Sequence, residues 1–170
     1  LATLAYLGFK SAGVSPDEVA HRFERGSVHV DVLGPDGLRG RTDLRTIGTA
    51  TTIQVGGGTQ ALQRAERVPV RHGDRVVHVP RPNLLGAIVI KAAAVHNDPH
   101  PQRHVRDVAF LCSIVTDPRA VQAHMSAKDL QRLRAVTDVN DPTNQAWRLL
   151  DDPELGYTAF RVLVAGSPTR

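Results

Sequence analysis

Three residues in this sequence carry side chains whose placement invites a chemical role. Asp31 sits inside the β-branched run Ser27 to Leu33, with Val28, Val30 and Val32 on one face and His29, Asp31 and Leu33 on the other. Aspartate is depleted in strands, so this carboxylate is either turned to water on an open sheet face or kept to hold a metal ion or accept a proton. Lys91 interrupts the apolar run Leu84 to Val95. A lysine in a helix that is greasy nearly all round must snorkel to water or meet an anion, and a flexible point charge suits a phosphate. Asp107 follows in Arg103-His104-Val105-Arg106-Asp107. Its four-residue spacing from Arg103 suits an ordinary helix ion pair worth about 0.2–0.5 kcal/mol, unless a site recruits both.

Other motifs point away from familiar chemistries. Gly56-Gly57-Gly58 is not followed by Lys-Ser/Thr and reads as a flexible turn rather than a phosphate loop. His96, His100 and His104 recur at four-residue spacing, but Pro99 and Pro101 prevent one helix from presenting all three, which argues against zinc. No Gly-x-Ser-x-Gly elbow is present.

The elements that must position these residues are strands first and helices afterwards, which predicts an α+β fold. A short helix over residues 1–7 stops at Gly8, and Phe9 to Ala12 is extended. His21 to Glu24 and Ser27 to Leu33 form a hairpin turning at Arg25-Gly26. Gly34 to Asp43 is a turn-rich loop, and Thr51 to Val55 a further strand. Leu62 to Val70 and Arg75 to Val79 make a second hairpin, in which Pro69 requires an edge position. Pro82 opens a helix over Leu84 to Val95. Later helices run from Gln102 to Val115, from Asp117-Pro118, from Ser126 with Asp129 in a capping box, and over Leu155 to Val164, with one turn around Trp147. The organisation is thus a strand part over 1–80, a helical part over 81–165 and a tail over 166–170.

Composition sets limits. Hydrophobic residues make up 41% and charged residues 22%, ordinary values for a globular protein. Aromatics are only 4%, so Val, Leu, Ala and Ile must build the core. The net charge is +4, nearly all of it arginine, which suits bidentate phosphate contacts and equally suits a high-GC genome. The single cysteine excludes an internal disulfide framework. No apolar run is long enough to span a bilayer and no signal peptide is visible, so a cytoplasmic protein with no membrane partner is expected.

In order, His21-Arg22-Phe23, Val30 to Gly37, Gly57 to Leu62, Val79-Pro80-Arg81-Pro82, Leu84 to Ala94 and His104 to Asp107 resemble nucleotidyltransferase-like proteins of the AbiEii toxin family, relatives of the DNA polymerase β-type nucleotidyltransferases. The resemblance covers roughly residues 1–135. It implies a partial nucleotidyltransferase-type mixed sheet with a flanking helix, followed by a helical C-terminal part. It also implies Mg²⁺-dependent transfer of NMP from an NTP to an acceptor such as tRNA, as a toxin countered by an antitoxin protein. By that resemblance Asp31 matches a third catalytic carboxylate and metal ligand. Lys91 contacts nucleotide phosphates with Arg103 and Arg106 nearby, and Asp107 supports the site. The family's Gly-Ser turn and Asp-x-Asp pair do not occur in this chain, and Leu1 stands where a methionine would start a gene. The expectation is therefore an N-terminally truncated enzyme. The alternative is a degenerate member that binds nucleotide or RNA without turnover.

Overall fold

Gly26, at φ 59°, closes the first hairpin, because a tight turn between twisted strands favours a left-handed residue that glycine supplies without strain. The computed structural model describes residues 1–38 and 42–166. It is α+β, with strands concentrated before the helices, and it divides into two compact units, Leu1–Gly58 and Thr59–Arg170. The division falls at Gly58 rather than near residue 80, so the second hairpin belongs with the helices.

In Leu1–Gly58, helix α1 (Ala2–Tyr6) leads to β1 (Lys10–Ser11), β2 (Arg22–Arg25) and β3 (Val28–Asp31), a three-stranded antiparallel sheet in the order β1-β2-β3. Phe23 pairs with Val30 on its inner side, while Arg22 pairs with Asp31 and Glu24 with His29 on the other. Strand β4 (Gly34–Pro35) pairs in parallel with β7 (Gln54–Val55), and β5 (Arg45–Ile47) pairs antiparallel with β6 (Ala50–Thr51). The expected single strand over Thr51 to Val55 is thus two short ones with different partners. The loop predicted over Gly34 to Asp43 includes residues 39–41, which lie outside the described residues. Among the described residues of this unit Phe23 is the one large buried apolar side chain. Gly58 is not part of a loose turn: an ideal Cβ there would lie 2.8 Å from the Pro35 Cα. It starts helix α2 (Gly58–Gln63), which the sequence reading missed.

In Thr59–Arg170, strands β8 (Ala65–His72) and β9 (Arg75–Pro82) form a long antiparallel hairpin. Helix α3 (Leu84–Val95) begins not at Pro82, which ends β9, but after Asn83, whose side chain accepts from the Gly86 N–H at 2.9 Å. Then follow α4 (Gln102–Ser113), α5 (Pro118–Ala123), α6 (Ala127–Arg134), a 3-10 turn (Thr137–Asn140), α7 (Gln145–Arg148) and α8 (Pro153–Ala165). Asp117 and Asp152 cap α5 and α8, and Ser126 with Asp129 forms both arms of the expected capping box. Residues 167–170 of the predicted tail lie outside the described residues.

One core joins α3, α4, α6, α7 and α8. Ile88, Val89, Val108, Cys112, Leu133, Trp147, Phe160 and Leu163 are sealed from solvent within it. Burying a side chain such as Ile88 or Leu163 is worth about 1.5–3 kcal/mol. Trp147 donates its ring N–H to the Val139 carbonyl at 3.2 Å and meets Tyr157 edge-on at 5.8 Å. No helix of the described residues is long and apolar enough to cross a membrane.

Candidate functional site

Helix α3 turns Leu85, Ile88, Val89 and Ala92 into the core, which leaves Lys91 at the rim with its side chain 39% exposed. Its amine reaches the Asp107 Oδ2 on α4 at 2.6 Å. The amine neither stretches into open water nor lies buried alone. It is matched by the carboxylate the sequence singled out, and both groups keep a solvent-facing side.

The Arg103–Asp107 pair suggested by spacing does not form. Arg103 turns its guanidinium to Asp98 in the α3–α4 loop, at 3.0 Å, and its Nε–H points at the His104 Nε2 at 3.3 Å. Asp107 is taken by Lys91, and Asp98 gathers several donors at once. Its Oδ1 accepts the His100 backbone N–H at 2.8 Å, and its Oδ2 lies 2.9 Å from the His104 ring. The His100 N–H, then the His104 ring, with smaller help from Arg103, hold the Asp98 carboxyl below the usual carboxylate range.

His104 is the member that sequence reasoning missed. It is almost wholly buried, with Nε2 against Asp98 and Nδ1 shielded, lacking a hydrogen-bond partner, 3.9 Å from Asp107 Oδ2. Its only sequence signal was membership in the His96-His100-His104 series, which was weighed for zinc. The rim of α3 and α4 therefore runs from Arg103 through Asp98, the His104 ring and Asp107 to Lys91. A mobile amine and a largely exposed guanidinium fork on one rim can both meet phosphate oxygens.

Arg106 is not part of this rim. It lines a separate cleft of about 210 Å³ with Gln102, Asp138, Asn144 and Gln145. Asp31 belongs to Leu1–Gly58, where Arg22 grips it by both oxygens, Nε to Oδ1 at 2.8 Å and Nη2 to Oδ2 at 2.9 Å. That fork, acting first through its hydrogen bonds and then through its charge, holds the Asp31 carboxyl below its ordinary value even though partial burial opposes it. Among the described residues no three His, Cys, Asp or Glu side chains gather to hold a metal. The donor set around Asp31 does not fit Mg²⁺ while Arg22 occupies both oxygens.

A second feature escaped the sequence reading. Arg64 donates to both oxygens of the fully buried Asp129, at 3.2 and 2.6 Å, and to the His124 carbonyl at 3.2 Å. Nothing in the spacing of Arg64 and Asp129 announces this pair. No family model, curated protein or solved structure matches the chain.

Proposed function

We propose that the chain is a nucleotidyltransferase-like protein that takes the phosphates of an NTP at the α3–α4 rim and passes NMP to an acceptor such as tRNA. In this reading it acts in the cytoplasm as the toxin of a toxin–antitoxin pair. The observation that supports it is the partly exposed Lys91 amine, held by Asp107 at 2.6 Å, with the exposed Arg103 one turn before Asp107 on α4. In the transfer, an acceptor hydroxyl oxygen attacks the α-phosphorus, the bond to the leaving pyrophosphate breaks, and the hydroxyl proton passes to a general base. Lys91 neutralises charge on the triphosphate while Asp107 keeps the amine in place. The same reading calls for Mg²⁺, which Asp31 does not fit while Arg22 holds both of its oxygens. The test is incubation of the full chain with each α-phosphate-labelled NTP and tRNA. Label transfer that disappears in Lys91→Ala is expected, and absence of transfer with every NTP would sink the transferase reading.

The engagement of Asp31 by Arg22 favours a second reading, nucleotide or RNA binding without turnover. Calorimetry showing NTP binding that survives EDTA, with no label transferred, would select it.

A further inference from the structure

The β8–β9 hairpin is exposed along nearly its whole length on both faces, with only Val68 and Pro82 half-buried. An isolated two-stranded ribbon is marginal in water, so a ribbon this long and uncovered is expected to serve a purpose. Its geometry sorts its side chains cleanly. Gly73, at φ 57°, and Asp74 make a two-residue turn, so His72 and Arg75 form the first hydrogen-bonded pair. Counting back from the tip, Arg71↔Val76, Pro69↔His78 and Arg67↔Pro80 are non-hydrogen-bonded pairs sharing one face. Both prolines therefore turn their nitrogens outward, and each outer edge lacks a donor. The edges are blunted against strand addition by another chain.

Charge identifies what the ribbon can meet. Residues 65–82 hold four arginines and two carboxylates, and one carboxylate, Glu66, is paired with Arg81 at 3.0 Å at the root. Among the described residues Arg67, Arg71 and Arg75 make no ion pair and no side-chain hydrogen bond. Arg67 and Arg71 flank His78 on one face at a separation of about 13 Å along the strand, and Arg75 stands beside His72 at the tip, rooted on the opposite face and at the end where the ribbon can be reached from both sides. On the face of Arg67 and Arg71 a second copy of the chain would bring guanidinium against guanidinium. Residues 65–82 contain no Asn, Gln, Ser or Thr, the side chains that commonly read base edges alongside Arg. The ribbon presents fork-shaped cations separated by proline and valine. That suits phosphates recognised through shape, as on the wide, shallow groove of an RNA helix.

We propose that the β8–β9 hairpin is a docking arm for the phosphodiester backbone of RNA, with Arg67, Arg71 and Arg75 as its phosphate contacts. This extends the reading that the acceptor is an RNA, but its test needs no nucleotide and no turnover. The measurement is fluorescence anisotropy of a labelled RNA stem–loop against the full chain over a salt series. In parallel, the same sequence as duplex DNA and phosphatidylserine vesicles are measured. Replacing the three arginines with glutamine is expected to weaken RNA binding about tenfold or more and to reduce the salt slope by about 2–3 units. Replacement by lysine is expected to restore most of the binding, and far-ultraviolet circular dichroism and NTP binding are expected to stay unchanged in both variants. RNA affinity and salt slope unchanged by the glutamine substitutions would overturn the proposal. So would tighter binding of the duplex DNA, or binding to the vesicles alone. Loss of RNA binding in a variant that still binds NTP separates this arm from the fate of the transferase reading.

Discussion

The Lys91 amine and the Asp107 carboxylate meet at 2.6 Å across consecutive helices, and neither is sealed from solvent. Because both ends remain hydrated, removing one leaves no stranded buried charge. The pair contributes little to folding and is free to serve a ligand. A double-mutant cycle of Lys91→Ala and Asp107→Ala should give a coupling of about 0.2–1 kcal/mol in denaturant melts. NTP affinity should fall about tenfold or more in Lys91→Ala. A large coupling with unchanged NTP affinity would mark the pair as scaffolding.

The opposite balance holds at Arg64 and Asp129. Burial opposes the Asp129 charge, but the Arg64 fork and the Ser126 N–H and hydroxyl outweigh it and hold the carboxyl below its ordinary value. Removing either partner should cost about 3–5 kcal/mol in urea melts, since the survivor keeps a charge with no counterpart. The sign of the pH effect follows. A carboxyl whose folded pKa is depressed stabilises fully above its unfolded value, near 4, and loses that contribution as pH falls through the folded one. Acid melts of Asp129→Asn should show a shallower fall of stability below about pH 4 than the parent. Parallel curves would disprove the assignment.

Cys112 is wholly enclosed on α4, and burial pushes its thiol pKa up to about 12. The thiolate that reacts with alkylating agents is therefore scarce and shielded. Iodoacetamide should label it only at the rate at which the helical core opens, and labelling should become rapid above the urea midpoint. Fast labelling of the native chain would contradict the packing.

The two units should differ in local stability. Phe23 is the one large buried apolar side chain among the described residues of Leu1–Gly58, while Thr59–Arg170 encloses Ile88, Leu133, Trp147, Phe160 and Leu163. Hydrogen exchange by mass spectrometry should show α3, α4 and α8 protected longest and β1 to β7 exchanging sooner. Fluorescence of Trp147, the single tryptophan, should be blue-shifted when folded and report the helical unit alone.

Local rules in the sequence located much of this architecture. The valine alternation around Asp31, the glycine turns at Gly26 and Gly73, and the caps at Asp117 and Ser126 all act over a few residues, and each produced an element near its predicted place. Two features resisted because their causes are not local. Position 58, where helix α2 starts, takes glycine because the Pro35 backbone approaches too closely for a side chain, and triplet glycine reads only as punctuation. At the site, Lys91 was legible as a misfit in its helix, and Asp107 only as half of an ordinary helix pair with Arg103. The choice of Arg103 between Asp107 and Asp98 was not, since Asp98 lies in a loop and Asp107 is engaged by Lys91 from another helix. Asp31 was visible as an odd strand residue, and its partner was directly opposite at Arg22, a cross-strand neighbour that the hairpin register names.

The root of the ribbon has a consequence of its own. Arg64 stands immediately before β8, gripping Asp129 with its side chain while its carbonyl receives the Asn83 N–H at 2.8 Å, just beyond β9. Both legs of the hairpin are thereby moored to the helix starts at α3 and α6, while the turn at Gly73 is left unanchored. A finger moored in this way is expected to bend about its base rather than to slide. A change in helix packing at α6 would redirect its tip without altering a single residue of the finger itself.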